Sequence, residues 1–101
     1  MAELAFLDEF RLFDGNYVRF YGHDGTRRVL CGVTVEALKQ RDARLPRNGL
    51  IPAEEFLEAF QRLVVEIHDT ARAKHAKGEL EASGDIELIV RRRDLLSHRA
   101  A

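Results

Sequence analysis

Residues 17–34 read YVRFYGHDGTRRVLCGVT, and the fold turns on whether this stretch is a β-hairpin. Val18 and Phe20 fall on one face of an alternating run, with Tyr17, Arg19 and Tyr21 on the other. A second run has Val29, Cys31 and Val33 in phase. Period-two alternation of this kind marks strands with one buried face. Between the runs lies Asp24-Gly25, a dipeptide favoured where both central turn residues need positive φ. A two-residue turn there would pair His23 with Thr26, Tyr21 with Arg28, Phe20 with Val29 and Val18 with Cys31. A four-residue loop would set Arg19 directly against Arg28, a like-charge pair that costs stability, so the two-residue turn is preferred.

Working outward, Asp14-Gly15-Asn16 reads as the turn that leads into the first run. Thr34 stands where alternation stops and is a good N-cap for a helix over Val35 to about Leu45. Leu45-Pro46-Arg47-Asn48-Gly49 ends that helix. Pro52 suits the first position of a second helix, and Glu54 and Glu55 suit the positive end of its dipole. Phe56, Phe60, Leu63, Val64, Ile67 and Ala71 recur at three- and four-residue spacing, a single apolar stripe, with Gly78 as the stop. One continuous helix from Pro52 to Lys77 would be roughly 39 Å long, so its last turns, TARAKHAK, are expected to overhang the core. Asp85 to Arg91 alternates again, with Ile86, Leu88 and Val90 inward.

The expected fold is therefore α+β, a two-layer domain in the order β-β-α-α-β, with an antiparallel sheet covered on one face by two helices. The N-terminal LAFL is a further edge-strand candidate. The whole chain, 1–101, reads as one domain, with an ordered core over about 6–91 and a frayed basic tail over 92–101.

Charge is organised in blocks. Counting Lys and Arg against Asp and Glu, residues 1–26 carry −3, 27–49 carry +4, 50–69 carry −4, 70–77 carry +3, 78–90 carry −4 and 91–101 carry +3, together −1. With no basic half, the chain does not look like a duplex-DNA binder whose affinity rests on phosphate contacts. One cysteine cannot close an internal disulfide, the N-terminus lacks the features of a signal peptide, and no run approaches the roughly 20 apolar residues of a membrane helix. A cytoplasmic protein without membrane contact is the expectation.

Three segments carry a family resemblance. They are Val29-x-Cys31-x-Val33-Thr34 running into Glu36-Ala37-Leu38, the long FLEAFQRLVVEIHDTARAKHAKGE with its Glu66-Ile67 pair, and the closing GDIELIV. Together they resemble the bacterial domain of unknown function 1488 family over about residues 6–95. The resemblance implies the α+β fold and no activity. The final RRRDLLSHRAA extends beyond the pattern.

Candidate sites are few. Cys31, in phase with Val29 and Val33, reads as a small core residue, because a reactive thiol needs exposure and a lowered pKa. His68 and His75 are two helical turns apart, roughly 10 Å, too far to share a zinc ion, and read as exposed. No glycine-rich phosphate loop is present, and the Glu54, Glu55, Glu58 cluster has a structural reason in the helix dipole. No catalytic, cofactor-binding or metal-ligating residue and no cofactor is assigned. The one candidate binding surface is the outward hairpin face, Tyr17, Arg19, Tyr21 and Arg28 with Leu30 beside them. Three readings follow: a non-enzymatic interaction module that self-associates or acts as an adaptor, a single-stranded nucleic-acid binder that stacks bases on that face, or a thiol-dependent enzyme at Cys31.

Overall fold

The computed structural model describes residues 4–25, 27–46 and 49–95, with only the backbone of 7–10. Its elements run β1 Ala5–Phe13, β2 Tyr17–Asp24, β3 Arg27–Thr34, α1 Val35–Arg41, α2 Ala53–Arg62, α3 Val64–Lys77 and β4 Leu88–Val90. The four strands form one sheet in the order β1-β2-β3-β4, and the fold is α+β. No helix among the described residues is long and apolar enough to cross a membrane.

The central hairpin forms, in a different register. Asp24 pairs with Arg27, Tyr21 with Leu30, Phe20 with Cys31 and Val18 with Val33. The turn therefore sits one residue later than Asp24-Gly25. In the observed turn the positive φ, 67°, falls on Gly25, and no non-glycine residue among those described has positive φ. The shift also sets Asp24 opposite Arg27, an attractive cross-strand pair. Because it moves both strands' pairing by an even step, the buried and outward faces are those expected.

β1 is a nine-residue edge strand, far longer than LAFL. Its pairing slips between Phe6, opposite Gly22, and Arg11, opposite Phe20. The irregularity has a packing reason. Strict alternation would send Phe6 and Phe13 to opposite faces, whereas the slip turns both toward the helices. Phe6 stacks on His68 at 4.1 Å and Phe13 on Phe56 at 4.6 Å.

Thr34 caps α1, its hydroxyl accepting from the Ala37 N–H at 3.1 Å. The helix ends at Arg41 and not near Leu45, because buried Asp42 turns its carboxylate back to the Arg44 N–H and to Arg62 Nε at 2.9 and 2.7 Å. The long helix breaks at Leu63, with φ −105° and ψ 12°. Leu63 leads a run of β-branched residues, Val64 and Val65, that weakens helix propensity. The apolar stripe continues across the break, so that Ile67, Thr70, Ala71 and Lys74 are buried in α3 while Val65 is exposed. The end of α3 consequently does not overhang. Buried Lys74 donates to Asp94 at 2.8 Å, and Gly78 closes the helix in a left-handed conformation.

The last strand is the main topological correction: β4 runs parallel to β3, with Cys31 opposite Leu88 and Val33 opposite Val90, so the sheet is mixed and not antiparallel. Parallel neighbours need a crossover connection of a dozen residues or more, and the three helices supply it. The strand is also shorter than Asp85–Arg91, because residues 83–86 form a tight turn in which Ser83 and Ile86 exchange backbone hydrogen bonds.

The core fills the space between the helices and one sheet face. Val18, Phe20, Val29, Cys31, Val33, Leu88 and Val90 meet Ala37, Leu38, Phe56, Ala59, Phe60, Ile67 and Ala71. Leu4 joins it by lying on Gly22, where any Cβ would meet the leucine at 2.9 Å. Packing continues past Arg91: residues 92–95 make a helical turn with Leu95 fully buried, where a frayed tail was expected, and the rest of that tail lies outside the described residues.

Candidate functional site

The opposite face of the sheet carries Tyr17, Arg19, Tyr21, Arg28 and Leu30, as the alternation requires. Arg28 is exposed and the other four are half-buried. The structure divides them into two groups.

The first group is covered from within the chain. The turn at 83–86 folds back over the outward face, and Ile86 seats itself on Gly32, where a Cβ would meet Ile86 Cδ1 at 3.1 Å and Tyr17 Cβ at 3.4 Å. Ile86, expected to face the helices, lies on the other side of the sheet for this reason. Asp85 accepts from Arg19 at 3.0 Å, and Asp14 accepts from Arg19 Nε at 2.7 Å. Glu87 pairs with Arg27 and accepts from the Leu30 N–H at 3.4 Å, while its own N–H donates to the Leu30 carbonyl at 2.8 Å. Hydrogen bonding to Asp14, then to Asp85, raises the Arg19 pKa further. Burial pushes the Asp14 carboxyl up, but hydrogen bonds from the Asn16 N–H, Arg19 and the Tyr17 N–H outweigh it and hold the group below its usual range. The positive charge of Arg19 is therefore met by two carboxylates.

The second group is only partly covered by the described residues. The Arg28 guanidinium lies 4.0 Å from the centroid of the Tyr21 ring, a diagonal cation–π contact across the hairpin. Tyr21 sits directly opposite Leu30. Leu12, opposite Arg19 on β1, adds an aliphatic side chain 46% exposed. Sequence reasoning missed Leu12, because β1 does not alternate, and missed Ile86. The signal for Ile86 was present in Gly32, since a glycine inside a strand often marks a close approach.

Neither helix histidine is exposed as expected. His68 is half-buried among Phe6, Phe20 and Phe60, with ring centroids 4.1, 5.8 and 6.1 Å away. His75 Nε2 lies 3.4 Å from Asp24 Oδ2, tying α3 to the hairpin end. Among the described residues no three His, Cys, Asp or Glu side chains are grouped to hold a metal ion.

The family described as "Protein of unknown function (DUF1488)" matches residues 5–88, from the first residue of β1 into β4. The chain belongs to DUF1488. A crystal structure of a protein of unknown function from the same family, from Shewanella loihica PV-4, superposes with a TM-score of 0.72 at 15% identity, covering 89% of this chain and 93% of that one. Likeness at that identity concerns the fold alone. No curated protein matches the chain. The DUF1488 match ends at Leu88, so Arg91 to Leu95, packed against α3, lie beyond the matched segment.

Cys31 occupies the core side of this DUF1488 sheet, fully buried, with Sγ 3.6 Å from the Val29 carbonyl. Burial pushes its thiol pKa up to about 12, a backbone hydrogen bond to Gly22 opposes the shift, and the Glu87 charge adds to it. A thiol held protonated and out of solvent is a poor nucleophile, which opposes the thiol-enzyme reading. Alkylation of the native protein with iodoacetamide at neutral pH is expected to be slow and to become complete only on unfolding. Rapid native labelling would contradict the buried placement.

Proposed function

We propose that the protein acts as an interaction module that self-associates through the open half of its outward sheet face. The observation carrying this reading is Arg28 stacked over Tyr21 beside Leu30 on a face that the described residues leave partly uncovered. Tyrosine and arginine are enriched where interfaces bury their centres. A two-fold contact must be self-complementary, and the charge layout supports one. Arg28 stands at the turn end of the hairpin, opposite His23. Asp85, its side chain 68% exposed, sits on Arg19, four residues along β2 from His23 and so about 13 Å away. Stacking two copies of the face with their strands running oppositely brings each Arg28 toward the partner's acidic end.

Sedimentation equilibrium is expected to show a monomer–dimer equilibrium. Arg28→Asp should weaken it by more than about tenfold, and adding Asp85→Arg to that variant should restore it. A strict monomer at the highest soluble concentration would end the proposal. The alternative of single-stranded nucleic acid on the same face loses support from the engagement of Arg19 by Asp14 and Asp85, because a phosphate would have to displace both.

A further inference from the structure

Most arginines of this chain are committed to partners. Arg41 is held by Glu66, Arg62 by Asp42 and Arg91 by Glu81. Arg92, Arg93 and Lys39 differ, since none of the three has an ion-pair partner among the described residues. They come together at one place. Two adjoining hollows open at the carboxyl ends of β3 and β4, one of about 330 Å³ lined by Thr34, Glu36, Arg91, Arg92 and Arg93 and one of about 210 Å³ lined by Glu36, Lys39 and Arg92, with Gln40.

The location follows from the parallel pairing. β3 ends at Thr34 and passes into α1, while β4 ends at Val90 and passes into the turn at 92–95. Both segments thus leave parallel strands at the same edge and return to the core through Ala37, Leu38 and Leu95, and the two hollows lie beside them. Arg91 forms one wall with its charge already met by Glu81, whose two carboxylate oxygens share its Nε–H at 2.8 and 2.9 Å. Arg92 and Lys39 supply positive charge without a carboxylate partner among the described residues, and Arg93 adds to it although its charge also acts on Glu81.

We infer that this crevice binds the phosphate group of a small phosphorylated molecule, held by Arg92 and Arg93 with Lys39 at the rim. Guanidinium groups suit phosphate because their planar N–H forks match its oxygens, and the lysine adds a point charge. The larger hollow falls in the size range of small-molecule sites. A small ligand fits better than a nucleic-acid backbone, because the cations cluster at one concavity and acidic blocks occupy much of the rest of the chain. Glu36 is the one acidic side chain lining both hollows, and it opposes the anion. Its removal is therefore expected to tighten binding.

Pyrophosphate titrated into isotope-labelled full-length protein at low salt, followed by amide chemical shifts, tests this. Saturable shifts are expected near Thr34 to Lys39 and Arg91 to Arg93. The double variant Arg92→Gln, Arg93→Gln should bind at least about tenfold more weakly, given the strength of charge-assisted hydrogen bonds, with an unchanged circular dichroism spectrum because both side chains are exposed. Glu36→Gln should bind more tightly, and Lys77→Gln at the exposed end of α3 should bind as the unaltered protein does. Unsaturable shifts, or equal binding by the double variant, would overturn the inference. Tighter binding of an oligonucleotide without terminal phosphate through the same arginines would overturn the assignment to a small phosphorylated ligand.

Discussion

Phe60→Ala is expected to lower the free energy of unfolding by about 3–5 kcal/mol. Phe60 is fully buried and joins three parts of the structure. Its ring lies 5.1 Å from Phe20 on β2 and 6.1 Å from His68 on α3, and the Arg11 guanidinium of β1 lies 4.7 Å above it. Truncation removes the transfer free energy of the ring and leaves a cavity that these neighbours, fixed on different elements, cannot close. It also strips Arg11 of its ring, although Arg11 still reaches the Gln61 side chain. Since domains of this size are stable by only about 5–15 kcal/mol, the loss should lower the melting temperature by roughly 15–30 °C. Denaturant unfolding checks it: the midpoint should fall with little change in slope. A loss below about 1 kcal/mol would mean that Phe60 is not at the centre of the core.

Lys74→Ala is expected to cost about 3 kcal/mol, and more than the double variant Lys74→Ala, Asp94→Ala. Lys74 is 7% exposed although it stands in the last turns of a helix. Its ammonium donates to Asp94 Oδ2 at 2.8 Å, and the same oxygen accepts from the Arg91 N–H at 2.8 Å. Removing the lysine leaves a largely buried carboxylate with only that backbone partner, and an uncompensated buried charge costs more than the pair contributes. Removing both relieves that penalty, so the two substitutions should be non-additive. Urea unfolding of the two single variants and the double gives the coupling directly. Strict additivity would show that the pair is solvated and carries little.

Much of the fold was legible in the sequence, and the exceptions have identifiable physical causes. Alternation placed Val18, Phe20, Val29, Cys31 and Val33 on the buried face because a strand's side chains point alternately whatever its partner. It said nothing of direction, which is why the parallel pairing of β4 escaped notice: Leu88-Ile89-Val90 alternates identically in either sense. Only the LAFL part of β1 was read as an edge strand, because the slip breaks the pattern that would reveal the rest. The register differs because the choice of turn weighed the repulsion between Arg19 and Arg28 and not the attraction between Asp24 and Arg27, which the observed pairing sets opposite each other. The helix stripe did predict Phe56, Phe60, Ile67 and Ala71 as core, yet a stripe of mixed three- and four-residue spacings also tolerates a break, and Leu63 has no proline or glycine to announce one.

At the candidate surface the sequence placed Tyr17, Arg19, Tyr21, Arg28 and Leu30 together. It could not show that residues 83–86 fold back over the face, since that depends on Ile86 finding the bare backbone of Gly32. Arg92 and Arg93 read as part of a frayed basic tail. Only the tertiary position of Leu95 and Asp94 shows that they line a crevice.

The parallel pairing of β3 with β4 also sets an order of events. The β2–β3 hairpin closes through a tight turn, whereas Leu30 and Glu87, which meet at the other side of β3, are 57 residues apart in the chain. Closing so large a loop carries an entropic cost that is repaid only after the intervening helices have settled on the sheet. The hairpin can therefore assemble early and locally, while the fourth strand, and with it the crevice at its end, is completed last. During synthesis, a chain halted before Leu88 would hold most of its core residues and still lack the edge that finishes the sheet.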